Sequence, residues 1–477
     1  MQKDKYINLI NKKIAILGFG INNQKLFSWL VKHNAKNITI CDKNPKLKIK
    51  NTKFKPQFQL GENYLKNLNN FDIIFRTPGI PYLHSEIQTA QKKGTLISSQ
   101  TKLFFDLCPA KIIGITGTKG KGTTSTLISE ILKNSFQEKH KIKSKTKIYL
   151  AGNIGKDPFE FLDILTVSDW VILELSSFQL QDLDVGPHIA VILNITSDHL
   201  DYHKNTKEYI QAKTSIIKYQ KKDDFAVINI DYLTSFKFAE FSKSKDVYYF
   251  SRRKSVDLGA YIEWGLKGQG AHSGKIILRT LKNDYEICKT YDIALRGEHN
   301  LENICAAVTT SYLAGAKIDS IKKIIKKFKG LEHRIEFFYE NNGTKFYDDS
   351  ASTNPDTTIA AIKSFSEPII LIAGGSSKGA DYSNLGREIN KSTVKTIIIL
   401  GETGPEIIKA IKSKKTATNK KIKIINNCKN IKEAVAAAKK EARSGDAVLL
   451  SPASASFGLF RNYKDRGEQY KIEVRKS

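Results

Sequence analysis

No two of the five cysteines form a CxxC pair, and no stretch approaches the ~18 consecutive apolar residues that a membrane-spanning helix needs. Cys41, Cys108, Cys288, Cys305 and Cys428 are odd in number and far apart, a pattern that excludes a disulfide framework or a cysteine zinc site and fits a reducing cytoplasm. The opening MQKDKYINLINKKIAILGFG lacks the long apolar core of a secretory signal. A soluble cytoplasmic protein with no membrane insertion is expected. Acidic residues are scarce beside basic ones, 48 Asp and Glu against 77 Lys and Arg, leaving a net charge of +29. Concentrated on one face, such an excess binds nucleic acid. Here the lysines are scattered through the whole chain among abundant Ile and Asn, so no nucleic-acid partner is expected, although the field still draws small anions. Nor does any segment recur with a solenoid period.

What is present is a chain too long for one ordinary core, and 40% hydrophobic residues mark it as folded. Near the start, the apolar runs KIAILGFG, NITICDK, FDIIFRTPG and GTLISS alternate with polar helical patterns, as parallel strands wrapped by helices do. A fresh strand, AKIIGIT, begins after Pro109 and opens a second series: KIYLAGN, DWVILELSS, IAVILNIT and DFAVINI. The lysine-rich QEKHKIKSKTK, from Gln137 to Lys147, reads as an exposed loop, and the glycine-bearing stretch from Ser251 to Lys289 as hairpins on that domain's flank. A third series, KFYDDS, PIILIAGG, KTIIILG, KIKIIN and AVLLSP, begins near Gly330. The pattern predicts three consecutive α/β domains with mainly parallel sheets, at 1–109, 110–330 and 331–477, Rossmann-like at both ends with a phosphate-loop domain between them.

Two loops follow strands closely enough to bind phosphate. GFGINN supplies Gly18 and Gly20, but Asn23 stands where a dinucleotide fingerprint would place its third glycine. A helix N-terminus turned toward a phosphate explains it better than an NAD site. Asp42 ends the next strand, where such sheets place an acid for ribose or base contact. GITGTKGKGTTST, from Gly114, is the stronger signal: Gly117, Thr118, Lys119, Gly120, Lys121, Gly122, Thr123 and Thr124 lie between a strand and a helix. Glycines let backbone N–H groups point at phosphate, the lysine neutralises its oxygens, and a hydroxyl serves Mg²⁺. In the strict spacing the first glycine falls at Ile115 and the hydroxyl at Gly122, so Thr123 is the nearest replacement. Glu174 ends the strand in DWVILELSSFQL, a position for a magnesium-binding carboxylate. NITSDHLDYH adds Asp198, His199 and Asp201 at the end of the following strand.

These segments, with TPGIP, AGNIG, GEHNLENICAA, GLEHRIEF, GGSSKGADYSNL and LSPASASFGLFRNYKDRGEQY, fall in one order along nearly the whole chain. In that order the chain resembles the Mur ligase family, the ATP-dependent amide ligases that build the peptidoglycan stem peptide, and within it the glutamate-adding branch. The resemblance implies ligation of D-glutamate to UDP-N-acetylmuramoyl-L-alanine through an acyl phosphate, by an enzyme expected to be a monomer. It implies that Lys121 grips the ATP phosphates, that Thr123 and Glu174 hold one Mg²⁺, and that His199 and a carbamylated Lys213, in EYIQAKTS, hold a second. Asn153 approaches the reacting carboxylate, and Asn300 and Asn303 recognise adenine. Arg334 serves the phosphates, His333 lines the junction ahead of the third domain, and Asp349 serves the ribose. By the same likeness the first domain binds UDP, with Gly18, Gly20, Asp42, Thr77 and Gly79 joined by Ser176 and Gln179 of ELSSFQL. The second binds ATP, and the third binds glutamate through Thr353, Lys378, Ser456, Phe457 and Tyr463.

Three positions depart from the usual pattern. Gly122 follows the loop lysine, as in folylpolyglutamate synthetase relatives; Ala351 stands where the branch has a lysine; and Tyr463 replaces a phenylalanine. The second leaves an L-glutamate variant of the reaction open. A folylpolyglutamate synthetase-like ligase shares the loop but not ELSSFQL. A nucleic-acid-stimulated P-loop ATPase gives LSPASAS no role.

Overall fold

The computed structural model describes residues 9–49, 53–136, 146–196, 205–265, 273–413 and 422–476. Its first sheet comprises β1 (Lys13–Leu17), β2 (Asn37–Asp42), β3 (Gln57–Leu60), β4 (Ile73–Arg76) and β5 (Leu96–Ser99) in the order β3-β2-β1-β4-β5, all parallel. Successive side chains of β1 bury on opposite faces: Ile14 and Ile16 join one apolar cluster, Ala15 and Leu17 another. This is why the strand reads as an unbroken apolar run rather than an alternation. The strand order reverses between β1 and β4, which opens a crevice at their carboxyl ends.

The second sheet contains β6 (Lys111–Thr116), β7 (Ile148–Gly152), β8 (Trp170–Glu174), β9 (Ile189–Ile192), β10 (Phe225–Asn229), β11 (Asp246–Ser251), β12 (Gly259–Trp264), β13 (Gly274–Arg279) and β14 (Asp284–Lys289), ordered β14-β13-β12-β11-β10-β9-β6-β8-β7. The strands from β7 to β12 pair in parallel; β12, β13 and β14 pair antiparallel, so the flanking hairpins prolong the sheet at its edge. Placing β6 between β8 and β9 sets the loop after β6 beside both of their carboxyl ends.

The third sheet contains β15 (Glu336–Asn341), β16 (Thr344–Asp348), β17 (Ile369–Ala373), β18 (Val394–Leu400), β19 (Lys423–Cys428) and β20 (Ala447–Leu450), ordered β15-β16-β20-β17-β18-β19 and parallel except for β15. Along β17, Ile369 and Leu371 bury on one face, Ile370 and Ile372 on the other. The expected class, three consecutive α/β domains with mainly parallel sheets, is what the chain adopts.

The chain divides into two units. One comprises Met1–Tyr291 and Glu302–Ile325 and holds the first two sheets; the other comprises Asp292–Leu301 and Lys326–Ser477 and holds the third. Inside the first unit the two sheets are bound by polar contacts. Gln100 Nε2 donates to the Asn22 carbonyl at 2.9 Å and to Asp157 Oδ2 at 2.9 Å. Asp163 accepts from Trp29 Nε1 at 2.9 Å and pairs with Lys32 at 2.6 Å. Among the described residues no helix is long and apolar enough to cross a membrane.

Candidate functional site

The loop leaving β6 is shaped by the end of β9. Thr118 N–H donates to the Asn194 carbonyl at 2.7 Å and Lys119 N–H to Asn194 Oδ1 at 3.0 Å. Thr118 Oγ1 donates to the Thr196 carbonyl at 3.1 Å, accepts from its N–H at 3.0 Å and lies 3.0 Å from the Tyr209 hydroxyl. Gly117 approaches so closely that a Cβ there would stand 2.7 Å from Leu193 Cβ. Gly120 has a φ of +87°, open to glycine and costly for other residues. The helix Lys121–Phe136 then begins, turning its N-terminal N–H groups to the loop. Lys121 Nζ folds back to donate to the carbonyls of Gly117 at 2.9 Å and Thr118 at 3.1 Å. Thr123 is half-buried, while Thr124 is buried with its hydroxyl 3.4 Å from Asn303 Oδ1.

A cavity of about 460 Å³ opens at these strand ends. Gly117, Thr118, Lys121, Asn153, Glu174 and Lys213 line one side, and Gly20, Thr77, Gly79, Ser176 and Gln179 line the rest together with residues the sequence did not single out. Those additions are Ile21, Asn22, Pro78, Ser177, Phe178 and Tyr209. Glu174, at the end of β8, is 7% exposed. Its carbonyl accepts from Asn153 N–H at 3.2 Å, and a Cβ on Gly152 would stand 2.3 Å from that oxygen, so the AGNIG turn rests directly on the strand end. Lys213 is 2% exposed; its Nζ donates to Thr116 Oγ1 at 3.1 Å and the Gly117 carbonyl at 3.3 Å, and sits 4.8 Å from the centre of the Tyr209 ring. It therefore belongs to the interior side of the helix Thr206–Lys218.

Not every expected residue reaches the cavity wall. Gly18 lies beneath it, where a Cβ would meet Thr77 Cγ2 at 2.5 Å. Asp42 is occupied in holding the GFG loop, accepting from Phe19 N–H at 2.7 Å and Asn44 N–H at 2.8 Å. Asn23 is buried and donates to the carbonyls of Leu17 and Gly18 at 3.1 and 2.7 Å, so the residue that spoils the dinucleotide fingerprint fixes the same turn from inside. Ser176 and Gln179 close a reciprocal cap on the short helix Ser177–Leu180. Lys119 and Gly120 belong to the loop, while Gly122, Thr123 and Thr124 form the first turn of the helix Lys121–Phe136. His199, with Asp198 and Asp201, lies outside the described residues, as do residues 137–145 of the lysine-rich stretch.

In the other unit, Asn300 Nδ2 donates to the Arg296 carbonyl at 2.6 Å. Asp349 is buried, accepting from Ser451 Oγ at 2.6 Å and Ile335 N–H at 3.2 Å. Burial pushes its carboxyl up to about 7, against the hydrogen bonds from Ser352 and Ser451 and the nearby Arg334 charge. Ala351 N–H donates to the His333 carbonyl at 3.0 Å, and Thr353 N–H donates to the Ala351 carbonyl at 3.0 Å. Lys378 Nζ lies 5.8 Å from the centre of the exposed Phe457 ring, whose carbonyl accepts from Ser376. Ser456 is buried and Tyr463 partly exposed. Arg466, fully buried, donates to Ser350 and to the carbonyls of Ser454 and Ala455 at 3.1 and 3.2 Å, fixing the LSPASAS loop.

The Mur ligase middle domain family matches residues 115–311, and the Mur ligase, glutamate ligase domain family matches residues 333–454. A protein of Acetivibrio thermocellus named UDP-N-acetylmuramoylalanine--D-glutamate ligase is 40% identical over 467 residues, 97% of this chain and 96% of its own. One of the same name from Symbiobacterium thermophilum is 38% identical over 470 residues, 98% of each chain. Among solved structures, the MurF ligase from Thermotoga maritima in complex with ADP is similar with a TM-score of 0.58 at 17% identity, covering 98% of this chain and 99% of that one. The UDP-N-acetylmuramate-alanine ligase MurC from the same organism gives 0.55 at 16% identity, covering 96% and 98%. At such identities the structural likeness speaks to fold alone.

Proposed function

The chain belongs to the Mur ligase family, and on that premise we propose that it joins D-glutamate to UDP-N-acetylmuramoyl-L-alanine at the expense of ATP, a step of peptidoglycan synthesis. One observation carries the reading. A single cavity gathers a phosphate loop with its lysine, a strand-end carboxylate, a buried lysine and the first-sheet loops.

A carboxylate in water does not form an amide unaided, because its oxygen is too poor a leaving group. Phosphoryl transfer from ATP makes an acyl phosphate; the glutamate amine then attacks its carbonyl carbon and inorganic phosphate departs. Two anions must meet in the first step, so positive charge has to stand between them. Lys121 and the N-terminus of the helix Lys121–Phe136 supply it. Because Asn194 holds the N–H groups of Thr118 and Lys119, the phosphates meet the loop from Gly120 onward. Asn153, pinned to Glu174, orients the carboxylate.

The donor set suits a hard cation: Thr123, Glu174, His199 and a carbamylated Lys213 would hold two Mg²⁺ ions. Bound there, Mg²⁺ neutralises the phosphoryl oxygens. Carbamylation fits a lysine buried among neutral oxygens, since it replaces a confined cation with an anion that has a metal to face.

We assign UDP binding to residues 1–109, ATP binding to 110–330 and glutamate binding to 331–477. By family likeness we assign Asn300, Asn303, Arg334 and Asp349 to nucleotide binding, and Thr353, Lys378, Ser456, Phe457 and Tyr463 to glutamate. The protein acts as a cytoplasmic monomer, where its nucleotide substrates are found. Purified protein with ATP, Mg²⁺ and UDP-N-acetylmuramoyl-L-alanine should release phosphate and form product with D-glutamate and not with L-glutamate. Product with neither enantiomer overturns the reading.

A further inference from the structure

Arg76 closes β4 at the crevice, where strand-end side chains ordinarily meet ligand or solvent, yet it is 0% exposed. Its guanidinium serves two elements at once. Nη1 donates to the Ile80 carbonyl at 2.7 Å and to those of Thr77 and Pro78 at 3.3 and 3.5 Å. Nη2 donates to the Phe178 carbonyl at 2.9 Å and pairs with Asp182 Oδ2 at 3.3 Å. Asp182 is in turn fixed by Ser99 Oγ, 3.3 Å from its Oδ1. Thr77 and Pro78 line one wall of the cavity, and Ser176 to Gln179 another.

We infer that Arg76 is a positioning residue which, braced by Asp182, sets the spacing of the two walls that receive the sugar nucleotide. The inference rests on the proposed ligase reading and deepens it. A planar fork with donors on two nitrogens can bridge diverging carbonyls; an ammonium presents one point of charge and cannot span them. Losing the fork leaves buried carbonyls unpaired on both loops, so they relax apart. Misplacement of substrate-positioning groups by about 1 Å is costly to binding and turnover. The phosphate loop makes none of the contacts named for Arg76, so nucleotide handling should be spared.

The test compares Arg76→Lys and Asp182→Asn with wild type in KM for UDP-N-acetylmuramoyl-L-alanine, KM for ATP, kcat, calorimetric binding of UDP and thermal midpoint. Arg76→Lys should raise the sugar-nucleotide KM about tenfold or more and weaken UDP binding in parallel, leaving the ATP KM within about twofold. Asp182→Asn should shift the same quantities in the same direction by less. Equal losses toward ATP and sugar nucleotide, tracking the thermal midpoint, would make the arginine merely structural and overturn the inference, as would unchanged UDP binding. Should Arg76→Lys fail to fold, Asp182→Asn decides by the same criteria. A wild-type protein that binds no UDP compound would instead remove the ligase reading itself.

Discussion

Asn303 Oδ1 occupies the space a Cβ on Gly120 would need, at 2.2 Å from it. The phosphate loop and the helix Glu298–Leu313 thus meet more closely than any side chain on residue 120 allows. Gly120→Ala adds this clash to a left-handed backbone that itself costs about 1–2 kcal/mol. ATP affinity should fall by about tenfold or more in calorimetry. Gly120→Ala combined with Asn303→Ala should recover part of the accompanying loss of thermal stability, because the clash goes and the backbone cost stays; its ATP affinity stays low, since Asn303 is itself assigned to adenine. Tight ATP binding by the single variant would show that the loop yields freely.

Lys213 tests whether a buried amine is modified. Lys213→Arg keeps a cation on the helix but cannot form a stable carbamate, so turnover should drop by at least about a hundredfold. Supplying labelled bicarbonate to the wild type should give a carbamate carbon signal by NMR that the variant lacks. Wild-type turnover from Lys213→Arg would mean the ammonium serves only to tie the helix to Thr116.

Arg296 grips Glu367 with two hydrogen bonds of 3.0 and 2.8 Å while lying over the rings of Tyr347 and Phe365 at 4.7 and 4.8 Å. The bonds from Arg296 hold the Glu367 carboxyl down to about 2. A depressed acid stabilises the fold above its unfolded value, near 4.5, and that contribution is lost as pH falls toward 2. Glu367→Gln should therefore melt lower than wild type at neutral pH, by roughly 1–3 kcal/mol of stability. The gap should narrow steadily below about pH 4. A pH-independent gap in calorimetric melts would point to shape rather than charge.

How far the sequence revealed this arrangement depends on what each residue's signal rests on. Buried parallel strands such as β1, β6 and β17 are legible because both faces are apolar, and the phosphate loop because its chemistry is local. The strands β3, β11 and β15 were not singled out: QFQL and EFFYEN lie at sheet edges with polar, exposed positions, and DVYYFS mixes both patterns. Arg76 and Asn194 escaped notice because a polar residue looks exposed until the tertiary fold supplies partners around it, and Asn23 was read only as a missing glycine. Lys213 shows the same limit from the other side. Its helix carries lysines that face water, and nothing local distinguishes the buried one; family likeness alone selected it. Asp42, expected on a ligand, also accepts from the N–H groups of Phe19 and Asn44, a structural role that its position alone did not reveal.

Asp349 poses the sharpest electrostatic question, since burial raises its carboxyl to about 7 while the unfolded chain releases that proton near 3.8. Between those values the folded state holds a proton that the unfolded state has lost. Its contribution to stability therefore declines as pH rises from about 4 to about 7, and is constant above. Asp349→Asn is neutral throughout, so wild type should lose more than about 1 kcal/mol relative to it across that window in thermal melts. For the ribose contact proposed for Asp349 the effect runs the other way. An ionised carboxylate is the stronger acceptor for a sugar hydroxyl, so the KM for ATP should fall as pH climbs through about 7 in wild type and stay flat in Asp349→Asn. On the proposed role, fold stability should fall over the pH range in which nucleotide affinity rises. A flat wild-type profile in both measurements would mean that Ser451 and Ile335 satisfy the carboxylate well enough to keep it ionised throughout.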